Sequence, residues 1–235
     1  MKFLIFLLTF AVLAVILPAE SSAAGPVHQV SVATGPEGNT APDASAYEVQ
    51  AQRMITWQNW TGALLVTREA ISMYPDIAEL HAIRGFAFLN LGQYSDAVHE
   101  TTLAIDLDPR AVRYTSRGYA YLALRNYPSA LADAEAGIAG NPADPANYII
   151  KALALNGQGS TVEAINAIDA AIVHDKANAL AWHVKGIVLL ARGDCPGAHY
   201  ALARAFSLNP DYDLPWPGFS GIQEDRAALN AACVL

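Results

Sequence analysis

The chain has 235 residues, with 14 Lys and Arg against 22 Asp and Glu, a formal net charge of −8. That balance excludes the basic face on which nucleic-acid binding depends, and equally a polybasic lipid-surface binder. With 53 % hydrophobic residues, 15 % charged residues and two cysteines, the composition also excludes a disordered chain, a disulfide scaffold and a four-thiolate zinc site, and its wealth of Ala points to a soluble helical protein.

Met1-Lys2 precedes an apolar run from Phe3 to Leu17, which Pro18 ends, and the small residues Ser21-Ser22-Ala23-Ala24 follow. A short positive start, an apolar stretch and small residues at its end predict a secretory signal peptide over 1–24, cleaved after Ala23 or Ala24. The apolar run falls short of the roughly 20 residues that span a bilayer, so no stable membrane anchor is expected after cleavage. Export to a bacterial periplasm is the expectation, with secretion as the alternative. Residues 25–43 are rich in Gly, Pro, Ser and Thr and hold no aromatic, which predicts a flexible leader. His28 stands alone there and reads as inert.

From residue 44 the sequence repeats itself. The copies cover 44–77, 78–110, 111–144, 145–178 and 179–212. A large residue stands at repeat position 4: Tyr47, His81, Tyr114, Tyr148 and Trp182. Position 8 holds Ala51, Gly85, Gly118, Ala152 and Gly186. Position 20 holds Ala63, Ala97, Ala130, Ala164 and Ala198. Position 32 holds Pro75, Pro109, Pro142 and Pro210, with Lys176 as the departure. Small residues at 8 and 20 let two helices approach closely, and Pro at 32 stops the second helix. Each unit leaves one apolar stripe unburied, so neighbours must stack. Gly137, at position 27, stands where the pattern has Ala, and Thr67 and Thr101 stand at position 24 where it has an apolar residue.

After Tyr212 comes Leu214-Pro215-Trp216-Pro217-Gly218-Phe219, an apolar loop that either plugs the last repeat or walls a ligand site. Residues Ile222 to Leu235 then read as a capping helix, with Ala227, Leu229, Ala232 and Leu235 on one face. Cys195 falls at the turn of the last repeat and Cys233 near the end of this helix. In an oxidising compartment they form either a disulfide that pins the cap or two free thiols.

Position 7 carries Arg84, Arg117, Lys151 and Lys185, and position 23 carries Glu100 and Asp133 in the second and third copies. Those positions face each other across a hairpin, which predicts Arg84–Glu100 and Arg117–Asp133 contacts. The alternative is a basic row that binds an acidic ligand. The six His show no metal spacing, and no nucleophile elbow, phosphate loop or dinucleotide fingerprint is present. Asn59-Trp60-Thr61 fits a glycosylation acceptor in a eukaryotic host.

The spacing and residue pattern resemble the tetratricopeptide repeat, a helix–turn–helix unit of about 34 residues. The resemblance implies an all-α, right-handed superhelical solenoid that binds other proteins, with no catalysis and no cofactor. In that family the first helices of the repeats line a concave groove. Carried onto this chain, the groove residues are Phe86, Leu89, Tyr119, Leu122, Ile149, Leu153, Asn156, His183, Ile187 and Leu190. The Lys/Asn/Arg set by which chaperone cofactors of the family grip a C-terminal carboxylate is missing. The expected ligand is therefore an extended or helical peptide segment of a protein partner, docked by apolar anchors. The alternative is a self-associating module that packs through the apolar loop or the weak first repeat.

Overall fold

The computed structural model describes residues 43–210 together with Asp225, Ala227, Leu229, Asn230 and Cys233. The signal segment and almost all of the leader, the loop at 214–219, and Ala232 and Leu235 of the cap lie outside the described residues. Among those described there are ten α-helices and no strand: α1 Ala44–Thr56, α2 Trp60–Met73, α3 Ala78–Asn90, α4 Tyr94–Leu107, α5 Ala111–Ala123, α6 Tyr127–Gly140, α7 Pro145–Gly157, α8 Thr161–His174, α9 Ala179–Arg192 and α10 Cys195–Leu208. Each helix packs on the next, and α1, α3, α5, α7 and α9 also touch in sequence. The result is a solenoid of five helical hairpins.

The starts of the helices are written locally. Asp43, Asn59, Asn126, Asp144, Asn178 and Asp194 each accept a hydrogen bond from a free backbone N–H of the first turn. Pro128, Pro145 and Pro196 occupy first-turn positions where the missing N–H costs nothing. At the other end of each hairpin the chain breaks into extended backbone just before position 32. Asp108 (φ −155°, ψ 101°) precedes Pro109, and Asp175 (φ −142°, ψ 98°) precedes Lys176 with nearly the same geometry. The departure at Lys176 therefore leaves the turn intact.

The core runs along the seam of positions 8 and 20, where Ala51, Ala63, Ala97, Ala130, Ala152, Ala164 and Ala198 are buried. A Cβ on Gly85 would come within 2.7 Å of Thr101 Oγ1, and one on Gly186 within 2.6 Å of the Leu202 side chain. The Thr residues at position 24 are tolerated because each hydroxyl donates to its own helix, Thr67 to Ala63 O and Thr101 to Ala97 O. Gly137 has a matching explanation. A Cβ there would meet the amide of Asn147 at 2.3–2.9 Å, so the lost methyl makes room for a buried polar side chain from the next repeat.

The turn inside each hairpin needs one left-handed residue. Gly92, Gly159 and Gly193 supply it with φ of 75°, 84° and 84°, but Gln58 (58°) and Arg125 (57°) adopt it with a Cβ. Both side chains are exposed. Replacing either with Gly is expected to raise the urea midpoint, by about 0.5–1 kcal/mol of stability per site, because the Cβ clash of the left-handed state exceeds the entropy that Gly loses on folding.

Candidate functional site

All four position-7 cations are engaged in the structure, by a rule that depends on position 23. Arg84 and Arg117 have an acid at position 23 of their own hairpin. Arg84 Nη2 lies 2.5 Å from Glu100 Oε1, and Arg117 makes a forked contact with Asp133, Nε to Oδ2 at 2.9 Å and Nη2 to Oδ1 at 2.8 Å. In the next two repeats position 23 is Ala167 and Ala201, and the lysines turn back instead. Lys151 Nζ reaches Glu135 at 2.9 Å and Lys185 Nζ reaches Asp169 at 2.6 Å, both at position 25 of the preceding repeat. Arg117 does both, since its Nη1 also donates to Thr102 Oγ1 at position 25 of the repeat before, at 3.0 Å. The cations thus form an ion-pair ladder that ties hairpins within and between repeats, and a basic row open to an acidic ligand is not what the structure holds.

At the Arg117–Asp133 rung burial and pairing act against each other. Burial pushes the Asp133 carboxyl above the usual carboxylate range, and the Arg117 guanidinium opposes that rise. The hydrogen-bonded Asp133 in turn holds the Arg117 proton more tightly. Arg117 also lies over the faces of Tyr114 and Tyr121, 5.8 Å from each ring centroid.

A second regularity closes the junctions between repeats. The position-4 side chain donates to the carbonyl at position 32 of the preceding repeat: His81 Nε2 to Pro75 O at 2.8 Å, Tyr148 Oη to Pro142 O at 3.0 Å, and Trp182 Nε1 to Lys176 O at 3.0 Å. At the remaining described junction the buried Arg113 takes over. It donates to Asp108 O and Ala104 O at the end of α4 and pairs with Glu79 at 3.2 Å. A third link runs from position 5 to the next repeat, where Thr115 Oγ1 donates to Asn147 Oδ1 at 2.7 Å.

The last hairpin uses this third link on the C-terminal segment. His183 Nε2 lies 2.6 Å from Asp225 Oδ2. Leu229 and Cys233 are buried against Leu189, Ala198, Ala201 and Leu202, and Cys233 is disulfide-bonded to Cys195. Asp225, Leu229 and Cys233, four residues apart, take the place of the first helix of a further repeat.

These links recur from repeat to repeat, and comparison with known proteins finds the same repeat fold. The family model described as tetratricopeptide repeat matches residues 115–181. MamA 41-end from Desulfovibrio magneticus RS-1 superposes with a TM-score of 0.63 at 24 % identity, covering 73 % of this chain and 97 % of that one. YrrB, titled a TPR protein with an unusual peptide-binding site, gives 0.59 at 19 % identity over 72 % and 88 %. A thermophilic TPR protein of Thermus thermophilus gives 0.63 at 16 % identity over 82 % and 100 %. The helical array is a tetratricopeptide-repeat array. Among curated proteins, the SGT1 homologue of Oryza sativa subsp. japonica is 35 % identical over 95 residues, 40 % of this chain and 26 % of the relative. Tetratricopeptide repeat protein 13 of Homo sapiens is 30 % identical over 110 residues, 47 % of this chain and 13 % of the relative. The chain therefore spans about a quarter or less of the curated relatives it matches.

Set in the tetratricopeptide register, the ten groove positions divide into two groups. Leu89, Asn156, Ile187 and Leu190 keep part of their surface open. Phe86, Tyr119, Leu122, Ile149, Leu153 and His183 are buried. Phe86 sits edge-to-face with Trp60 at 5.9 Å, and burial pushes the Tyr119 phenol far up. His183 serves the C-terminal segment through Asp225 rather than offering a groove surface. Among the described residues no group of three or more His, Cys, Asp or Glu is placed to hold a metal ion, and no helix is long and apolar enough to cross a membrane. Asn59 of the acceptor tripeptide is exposed and caps α2 through Gly62 N.

Sequence reasoning missed Glu135 and Asp169 as ladder partners, Arg113 as the seal on α4, and the position-4 donors as a class. The signal was present for the first of these: each acid lies 16 residues before its lysine, where Glu100 and Asp133 lie 16 after their arginines.

Proposed function

We propose that this chain is a non-catalytic adaptor of the bacterial cell envelope that holds a peptide segment of a protein partner in the concave groove of its repeats. Tetratricopeptide arrays are protein-interaction scaffolds, and the fold supports that reading here. The observation that carries the finer reading is the contrast between the ladder and the groove. The position-7 cations are all occupied, whereas Leu89, Asn156 and Ile187 on the first helices remain part-exposed, as does Leu190 at the edge of the C-terminal cluster. Recognition then rests on apolar anchors with a polar group to set register, not on a carboxylate clamp. Phe86, Tyr119, Leu122, Ile149 and Leu153 are buried and serve in this reading as support for the helices that carry the anchors. The envelope location rests on the amino-terminal sequence pattern, and a reporter enzyme that is active only after export, fused behind residue 43, tests it.

Panning a displayed peptide library against the purified chain tests the groove. Peptides so selected are expected to carry spaced apolar residues, and a Leu89→Asp/Ile187→Asp variant is expected to bind them at least ~10-fold more weakly while keeping its helical circular dichroism. Selected peptides that bind the variant as tightly as the parent would place recognition elsewhere on the array.

A further inference from the structure

The first repeat presents to solvent the face that every other repeat buries. Positions 3, 6 and 10 of the first helices meet the preceding repeat. At position 3, Leu80, Arg113, Asn147 and Ala181 are buried, and at position 10 Ala87, Ala120, Ala154 and Val188 are fully buried. At position 6, Ile83, Ile150 and Val184 are buried and Ser116 is part-buried. In α1 the same positions are Ala46, Val49 and Arg53, all exposed, with Val49 at 55 %. Gln50, on the same side of the helix, is exposed as well. The opposite end of the array is closed, since Leu229 and Cys233 cover the last hairpin and the disulfide fixes them there.

Charge decides what this open face accepts. One more repeat in register would bury Arg53 where every other repeat has Ala or Val, and an unpaired buried guanidinium is costly. The face has a different symmetry. Asp43 stands at one end of it and Arg53 at the other, with Ala46, Val49 and Gln50 between them. An antiparallel copy of the same helix, crossing over residues 46–50, sets each Arg53 opposite the other copy's Asp43. The small Ala46 lets the two backbones approach, and Val49 packs across the two-fold axis. Asp43 uses Oδ1 for Ser45 and for Ala46 N, which leaves Oδ2 for the partner.

We propose that the outer face of α1 is a docking surface for a second copy of this chain, paired antiparallel through α1 with reciprocal Asp43–Arg53 ion pairs. Because one end of each array is open and the other closed, the association stops at two copies and builds no fibre. The two grooves stay free and come to lie on one elongated particle. The surface is separate from the groove, so this dimer and the peptide reading stand or fall independently.

Sedimentation equilibrium of the purified chain across a concentration series up to about 1 mM is the test. The wild type is expected to pass from monomer to dimer and no further. Arg53→Gln and Asp43→Asn, which keeps the helix cap, are each expected to weaken the dimer at least ~10-fold. Arg53→Glu sets like charges against Asp43 and is expected to abolish it, and Asp43→Lys/Arg53→Glu is expected to restore it by exchanging the signs. Circular dichroism of each variant checks that α1 is intact. A wild type that remains monomeric throughout the series overturns the proposal. So does a dimer that neither single substitution weakens, because its interface then lies on another surface.

Discussion

Replacing Arg117 with Met will destabilise the array by about 3 kcal/mol at neutral pH, and a second substitution, Asp133→Asn, will return most of that loss. The reason is the asymmetry between a pair and half a pair. Arg117 satisfies both oxygens of a carboxylate that is itself buried, donates to Thr102 in the repeat before, and covers two tyrosine rings. Met keeps much of the stem that packs between Tyr114 and Tyr121 but leaves Asp133 with a charge and no counter-charge. Asn at 133 removes the charge as well. Lys at 117 is expected to fall between, since a point charge cannot make the forked contact. The loss will also depend on pH. Burial already raises the Asp133 carboxyl above its unfolded value. A carboxyl raised in this way favours the folded state at pH below its unfolded pKa, and that contribution disappears as pH rises through the folded value. Without Arg117 the carboxyl rises further, so the gap between wild type and Arg117→Met should be small near pH 4 and widen toward pH 7. Urea midpoints at the two pH values measure it, and a gap that is constant with pH would count against the ion pair as its cause.

Reducing the Cys195–Cys233 bond will cost about 3 kcal/mol, and the cost will be paid at one end of the array. The bond spans 38 residues and holds Leu229 over the apolar faces of Leu189 and Leu202. Once it opens, the contacts left to the described residues of the C-terminal segment include His183–Asp225 and a small apolar cluster. Each repeat touches only its neighbours, so the change should stay local. Hydrogen exchange with and without reductant is expected to show faster exchange in α9 and α10 and unchanged exchange in α3 to α6. A Cys195→Ser/Cys233→Ser chain should exchange like the reduced protein and ignore the reductant. Uniform loss of protection over all ten helices would mean that the array melts as one unit.

How much of this could be read beforehand divides along a physical line. The repeat register was legible because steric exclusion writes it directly: a methyl is the most that Ala97 and Ala198 carry, even a Cβ would crowd Gly85 and Gly186, and the series recurs with little variation. The Arg84–Glu100 and Arg117–Asp133 contacts were legible because both partners lie within one hairpin of fixed geometry. The lysine partners were not, because a long side chain at position 7 can turn either way, and the choice is set by Ala167 and Ala201 at a second site. Gly137 looked like a flaw for as long as Asn147 was read separately from it; together they are one packing solution. The position-4 donors escaped notice because His81, Tyr148 and Trp182 share only an N–H or O–H at a similar reach. The groove was the least legible part. Which residues of a first helix stay open depends on how tightly successive hairpins curl, and that is a property of the stack. Phe86 and Leu89 sit on one helix, three residues apart, yet only Leu89 keeps part of its surface open.

The direction in which the ladder points has a consequence for the order of events in unfolding. Lys151 and Lys185 reach backward and fasten the third, fourth and fifth repeats to one another, and the disulfide fastens the end. Arg84 spends its charge inside its own hairpin, so no rung crosses from the second repeat to the first. The charge ladder is therefore anchored at one end and stops short of the first repeat, which is joined to the second by His81–Pro75 O and by apolar packing. Hydrogen exchange in denaturant is expected to start at α1, where no ion pair reaches the next repeat, and to reach the third to fifth repeats last.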